Sequence, residues 1–197
     1  APSTGETVRP GGSMVRDDNG QWGGDISRSI THQCQPDYKA RKLLDLSAVP
    51  AEVFDRLQAV RLSMFLTVRD YSPTSNPPAN GLDESYEIVL NGHSHLFPTS
   101  NGAPRFEDGA GAAFGWFEVP LPADEMLRGL NEIILSKAAG PKSDDYFYLG
   151  IDHTARCDRR AVAFDGVQWR SDVLTIPGGS GESMVRLYLL NAPLPVE

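Results

Sequence analysis

The fold is decided by residues 114–152, which read FGWFEVPLPADEMLRGLNEIILSKAAGPKSDDYFYLGID. Apolar and aromatic residues gather there in three short runs rich in Phe, Trp, Tyr, Ile and Leu, which is typical of β-strands. Between the first two runs, residues 123–128 predict a short helical turn that Gly129 closes, because glycine tolerates the left-handed backbone that ends helices. The predicted strands of this stretch are 114–119, 131–136 and 146–151.

Alternating apolar and polar residues predict further strands on both sides of this stretch. Residues 60–70 alternate most clearly and predict a half-buried strand, with Val, Leu and Met on one face and Arg, Ser, Thr and Phe65 on the other. Asn91-Gly92 and Asp165-Gly166 are typical hairpin turns. Ser47 and Pro50 predict a short helix near 50–57. The other predicted strands are 13–16, 26–33, 38–46, 84–90, 93–97, 161–164, 167–169, 173–176 and 183–190.

This pattern predicts the fold class. Many short strands, 19 Gly and 15 Pro, and no βαβ spacing favour an all-β protein. We expect an antiparallel two-sheet β-sandwich, jelly-roll-like, with one or two short helical turns. A chain of 197 residues fits a single domain, in which 1–13 and 191–197 are peripheral.

Composition excludes several kinds of partner. A net charge of −8 argues against nucleic acid and against an anionic membrane surface, since both attract Lys and Arg. No apolar run is long enough for insertion into a membrane. The sequence lacks the hydrolase, metalloprotease, phosphate-loop and dinucleotide signatures, so no catalytic residue is assigned. Cys34 and Cys157 could form a disulfide or remain two buried thiols.

Three segments carry a resemblance to a known group. The segments Glu-Ile-Val-Leu-Asn-Gly at 87–92, Phe-Glu-Val-Pro-Leu at 117–121 and Leu-Arg-Gly-Leu-Asn-Glu-Ile at 127–133 resemble the galactose-binding-like β-sandwich. Many members of that group are carbohydrate-binding modules of glycoside hydrolases and polysaccharide lyases. The resemblance therefore implies a polysaccharide or oligosaccharide ligand, a catalytic domain as partner, and a secreted protein in an extracellular or periplasmic location. It also implies a structural calcium ion.

Loop aromatics and their polar neighbours are the candidates for sugar binding, because indole and phenol rings stack on the apolar faces of pyranose rings. Most Trp and Tyr residues only pack, so each candidate also has a purely structural interpretation. We expect Trp116 to be buried, and the site to lie on the loops at 17–25, 71–83, 98–111 and 165–172. The candidate carbohydrate-binding residues are Trp22, Arg69, Tyr71, Asp83, His93, His95, Trp169 and Arg170.

Acidic residues in loops are the candidates for calcium, which prefers carboxylate and carbonyl oxygens. Solvated turn carboxylates are the alternative. These candidate ligands are Asp17, Asp18, Asp25 and Glu182.

Histidines and cysteines offer two further metal or catalytic sites. His93 and His95 lie two residues apart and therefore share one face of a strand. They could start a transition-metal or catalytic site. A His₂Cys₂ zinc site is a minor alternative to the disulfide, and its ligands would be His32, Cys34, His153 and Cys157.

Three functional hypotheses follow. The first is a non-catalytic carbohydrate-binding module. The second is a small hydrolase or lyase that uses His93, His95 or loop carboxylates on polysaccharide. The third is a structural or adhesive domain without a small ligand.

Overall fold

The computed structural model describes residues 12–28, 30, 38–70, 82, 84–98, 103–104, 106–107, 111–138, 145–155, 161–174 and 179–191. These residues form an all-β sandwich of antiparallel sheets, which confirms the predicted fold class. The strands are β1 (Gly12–Val15), β2 (Tyr38–Asp45), β3 (Ala59–Asp70), β4 (Ser85–Leu90), β5 (His93–Pro98), β6 (Phe106–Glu107), β7 (Gly111–Ala112), β8 (Gly115–Leu121), β9 (Leu130–Lys137), β10 (Asp145–Leu149), β11 (Ile151–Asp152), β12 (Val162–Asp165), β13 (Trp169–Arg170), β14 (Glu182–Ser183) and β15 (Val185–Leu190). Helix α1 covers Ala51–Phe54, and a 3₁₀ turn covers Ala123–Glu125.

The two main sheets are built around long central strands. In the five-stranded sheet, β3 pairs with β8 along one edge and with β15 and then β10 along the other, while β1 pairs with β15. The six-stranded sheet has the order β13-β12-β2-β9-β4-β5. Strands β6 and β7, and β11 and β14, form two separate pairs.

The hydrophobic core lies between the two main sheets. Side chains alternate along a strand, so every second residue of each strand faces inward. Leu62 and Leu66 of β3 meet Ile88 of β4 and Leu135 of β9 in one buried cluster. Burial of this kind is the dominant stabilising contribution in a sandwich.

The prediction that residues 60–70 form a half-buried strand is wrong. Ser63, Phe65 and Thr67 are buried on the face of β3 that points away from the core. Trp22 and Phe114 pack on Phe65 there, with ring centroids 5.1 and 5.7 Å away. Trp22, from the segment before β2, and Phe114, just before β8, therefore cover part of the outer face of the five-stranded sheet, which the alternating pattern could not show.

The predicted turns and helices agree with the structure in part. Asn91 and Gly92 have φ of 49° and 90°, as the hairpin prediction requires. The helices predicted at 50–57 and 123–128 shrink to Ala51–Phe54 and Ala123–Glu125. Gly129 does not have the left-handed backbone expected of a helix-closing glycine. The Asn131 side chain instead accepts a hydrogen bond from the Leu127 N–H and donates to the Leu127 and Gly129 carbonyls, so these backbone groups of the turn have hydrogen-bond partners.

Two predicted strands are reduced to isolated bridges. Within 26–33 the described residues form only isolated bridges at Ile26, Ser27 and Ile30, and within 173–176 one bridge at Leu174.

In the part of the chain that the structure describes, no helix is both long and apolar enough to span a bilayer.

Candidate functional site

The predicted sugar-binding residues fall in several places. Trp169 and Arg170 lie on β13, one edge of the six-stranded sheet, whereas His93 and His95 lie on β5, the opposite edge. Arg69 is near the end of β3. Tyr71 and Asp83 lie outside the described residues, as do Cys34, Cys157 and His32. Trp22 lies on the outer face of the five-stranded sheet.

Trp169 is the tryptophan with the most accessible ring. Its side chain packs on Phe164 of β12, with ring centroids 5.3 Å apart, and the residue is 38% exposed. The Arg41 guanidinium carbon lies 4.8 Å from the indole centroid, at the distance of a cation–π contact. The guanidinium covers one ring face and Phe164 packs against the ring, so the exposed surface is the part of the indole that these two groups leave uncovered. We call Trp169, Phe164 and Arg41, with Glu132 as the ion-pair partner of Arg41, the Trp169 patch.

The turn and strand register place these side chains together. Asp165-Gly166 reverses the chain, and Gly166 has a φ of 89° that glycine adopts without strain. Trp169 is then opposite Phe164, and Phe164 is opposite Lys39 of β2. Lys39 and Arg41 alternate with the buried residues of β2, so they point away from the core. The indole therefore lies on the outer face of the sheet.

Arg170, a predicted sugar-binding residue, follows Trp169 on β13 and is opposite the core residue Ala163, so its side chain leaves the sheet on the face opposite to the indole. Arg170 Nε donates to Asp172 Oδ1 at 2.8 Å, and Arg28 donates to Asp172 Oδ2 at 3.1 Å. Although burial opposes it, these arginines hold the pKa of Asp172 below its ordinary value of 3.8, so the carboxylate is ionised at neutral pH. Arg41 also forms an ion pair with Glu132 at 3.6 Å. On the indole's own face of the sheet the charged groups are the Arg41 guanidinium and its partner Glu132, so the ring can stack on an apolar ring face while these groups bind hydroxyls.

Trp22 is held in a second aromatic group, which we call the aromatic cover: Trp22, Phe65, Phe114 and Trp116. The Trp22 indole lies 4.8 Å from Phe114 and donates its Nε1–H to the Asp25 carbonyl at 2.8 Å. Trp116 is half-buried and not buried as predicted. These contacts give Trp22 a structural role in fixing loop 17–25 on the sheet.

A buried ion pair anchors the same loop. Arg186 of β15 is 0% exposed and donates to both oxygens of Asp18, at 2.9 and 2.5 Å, while its guanidinium carbon lies 4.2 Å from the Trp116 centroid. Burial raises the pKa of Asp18 to about 6 and lowers that of Arg186 to about 10, because an apolar environment disfavours both charges. Asp152 supports the loop by accepting the Asn19 and Gln21 N–H groups.

The carboxylates predicted to bind calcium are engaged with basic side chains. Asp18 faces Arg186, Glu182 accepts from Lys42 at 2.6 Å, and Asp25 contacts His153 at 2.5 Å. As arranged, they do not form a common oxygen cage. The described part of the chain contains no group of three or more His, Cys, Asp or Glu placed to hold a metal ion. Calcium binding, with Asp17 as its fourth ligand, stays a prediction.

The two histidines of β5 meet a carboxylate that the sequence did not indicate. His95 Nε2 lies 2.6 Å from Glu125 Oε2, and His93 Nδ1 lies 4.0 Å from Glu125 Oε1. The two imidazoles therefore point to the same side, as their spacing predicts. Glu125 belongs to the 3₁₀ turn, 30 residues away in sequence from His95.

Sequence reasoning missed three members of the site, Arg41, Phe164 and Glu132. Arg41 and Glu132 lie far apart in the sequence, on β2 and β9, so no local pattern relates them. Only two signals were available: the alternation along β2, which makes Arg41 face outward, and the Asp-Gly hairpin, which pairs with β2. Comparison with family models, with curated proteins and with solved structures finds no match to this chain.

Proposed function

We propose that the protein is a non-catalytic carbohydrate-binding module and that the Trp169 patch is its binding surface. The observation that carries this proposal is the exposed indole of Trp169, supported by Arg41, which is itself held by Glu132. The resemblance of segments 87–92, 117–121 and 127–133 to galactose-binding-like sandwiches supports it independently.

The physical basis of binding is a rigid apolar plate with polar groups beside it. A pyranose ring presents C–H groups on one face and hydroxyls at its rim, which matches the indole and its charged neighbours. Arg41 and Phe164 fix the indole before the ligand arrives, so little side-chain entropy is lost on binding. The ligand class is a polysaccharide or oligosaccharide.

The resemblance extends the proposal to context. A module of this kind serves a secreted enzyme that degrades polysaccharide, so we place the protein outside the cell or in the periplasm, next to a catalytic domain. A structural calcium ion held by loop carboxylates belongs to the same proposal, and its test is the melting temperature with and without a chelator. A melting temperature that the chelator leaves unchanged contradicts the calcium part alone.

Affinity gel electrophoresis against neutral and uronic-acid polysaccharides tests the binding proposal. Trp169→Ala should remove retardation of the protein by a polysaccharide that retards the wild type. Val167→Ala is the matched control, because Val167 is 83% exposed on the same hairpin and lies outside the patch. Binding anchors of this kind contribute at least about 1 kcal/mol, which is about a fivefold loss of affinity or more. A folded wild type that no glycan retards contradicts the proposal.

One observation favours a second candidate function, a hydrolase or lyase. His95 is partly exposed and hydrogen-bonded to Glu125, an arrangement that can hold an imidazole in one tautomer for proton transfer. Release of reducing ends or unsaturated products from the same panel, lost in His95→Ala with the fold intact, would establish this activity. No turnover by the wild type would remove it.

A further inference from the structure

A lysine and a glutamate are in direct contact inside the protein, away from the Trp169 patch. Lys137 at the end of β9 and Glu84 just before β4 have side chains that are 2% and 10% exposed. Lys137 Nζ is in direct contact with Glu84 Oε2. Lys137 is opposite Tyr86 in the β4–β9 pairing, which brings its side chain to the start of β4.

A reciprocal pair of hydrogen bonds holds the carboxyl group in place. The Glu84 N–H donates to Asp145 Oδ2 at 2.9 Å, and the Asp145 N–H donates to Glu84 Oε2 at 2.8 Å. Asp145 is fully buried and receives the Tyr86 hydroxyl on its carbonyl at 2.9 Å. Both the backbone and the side chain of Glu84 are therefore fixed against the amine.

One side of the amine faces aromatic rings. Lys137 Nζ lies 5.3 Å from the centroid of the fully buried Tyr86 ring, which packs edge-on against Phe147 at 4.9 Å. A buried ion pair loses hydration that its mutual attraction often fails to offset, with a penalty of several kcal/mol per ion. A neutral amide between the same two groups has no such penalty.

Proximity favours the same outcome. Groups held in reactive geometry behave as if present at effective concentrations of about 10⁵–10⁸ M. Condensation to an amide is then favoured over hydrolysis, provided that the water formed leaves the dry interior. The chain between residues 84 and 137 would be closed into a covalent loop.

We propose that Lys137 and Glu84 form an intramolecular isopeptide bond between Nζ and Cδ. A proton passes from the ammonium to the carboxylate, which gives a neutral amine and a carboxylic acid. The amine lone pair attacks Cδ, a second proton moves from nitrogen to the hydroxyl oxygen, and the C–O bond breaks as water leaves. The ammonium and carboxylate thus become an amide and one water, with no change of oxidation state and no co-reactant.

The intact mass of the denatured, reduced wild type tests the bond directly. The expected mass is lower than the sequence mass by one water, and a tryptic digest should give one branched peptide that joins the Glu84 and Lys137 regions without cleavage after Lys137. Reduction removes the two-hydrogen difference that a disulfide would add. A wild-type mass equal to the sequence mass, also after prolonged incubation, overturns the proposal.

Two variants assign the loss to this pair. Lys137→Met should restore the full sequence mass. Lys42→Met is the matched control, because Lys42 forms the second buried Lys–Glu pair, with Glu182 at an ordinary hydrogen-bond distance of 2.6 Å. The mass of this variant should still be one water below the mass of its sequence. A loss that persists in Lys137→Met contradicts the proposal and points to another dehydration, such as imide formation at Asp165-Gly166.

Discussion

Replacing Arg186 by Met should destabilise the fold more than the loss of any surface ion pair. Arg186 is 0% and Asp18 4% exposed, and two hydrogen bonds join them. Removing one partner of a buried pair leaves an uncompensated charge, which costs about 3–5 kcal/mol. The stacking of the guanidinium on Trp116 is lost as well, and a desolvated contact of that type contributes about 2 kcal/mol or more, so the upper half of the range is expected.

The penalty should depend on pH, because the stranded carboxyl can become neutral. Burial already raises the pKa of Asp18 to about 6, and removal of the guanidinium raises it further. The folded variant therefore takes up a proton that the unfolded chain takes up only near 3.8, and the cost of Arg186→Met should shrink as pH falls from 8 to 5. Asp18→Asn in the Arg186→Met background should recover part of the stability at pH 7 and abolish this pH dependence.

Urea unfolding followed by circular dichroism measures these differences. Arg61→Met is the matched control, since Arg61 lies on the same sheet face and pairs with Glu118 at 3.2 Å, with side chains 18% and 25% exposed. Partly exposed pairs contribute about 0–1 kcal/mol. If Arg186→Met costs no more than Arg61→Met, the interpretation of the Asp18–Arg186 pair as the anchor of loop 17–25 is refuted.

Two other predictions concern stability. Although burial opposes it, hydrogen bonds from Thr154, Gln21 and Asn19 lower the pKa of Asp152 below its ordinary value of 3.8, so the unfolded state binds the proton more tightly. The stability that these bonds provide is present above pH 3.8 and is lost as pH falls below it. In acid unfolding, the free energy of unfolding of Asp152→Asn should therefore fall less steeply with pH in that window than that of the wild type. Equal slopes for the two proteins would contradict the assignment. Gly150→Ala should cost about 1–3 kcal/mol by thermal melting, because its Cβ would lie 2.5 Å from the Phe65 ring, whereas Gly129→Ala meets nothing within 4 Å and should cost much less. Equal melting temperatures for the two variants would mean that the aromatic cover tolerates displacement.

The fold was largely predictable because strand signals are local. Alternation along 38–46 and 84–90 reflects a core on one side, and Asn91-Gly92 requires a backbone that few other residues adopt. Alternation failed for β3 because a distant segment covers its second face. Ser63 and Thr67 on that face are residue types that occur at surfaces, and Phe65 alone among them indicated burial.

The candidate site was less predictable because its members come from distant positions. The same holds for the buried ion pairs outside the patch. Lys and Arg are almost never buried without a partner, and the partners of Lys42 and Arg186, which are Glu182 and Asp18, lie 140 and 168 residues away in the sequence. Trp169 was identified from its place after an Asp-Gly turn, while Arg41 beneath it depends on how β12 pairs with β2. These contacts depend on pairing between strands that are far apart in the sequence, and local sequence patterns do not predict that pairing.

The most direct test of carbohydrate binding is the affinity of wild type, Trp169→Ala and Val167→Ala for one retarding polysaccharide, measured side by side. The Trp169 patch predicts that Trp169→Ala loses at least about fivefold in affinity, while Val167→Ala binds as the wild type does. Equal affinity of all three proteins would show that the sugar binds elsewhere, and the absence of any binding polysaccharide would contradict the proposed function itself.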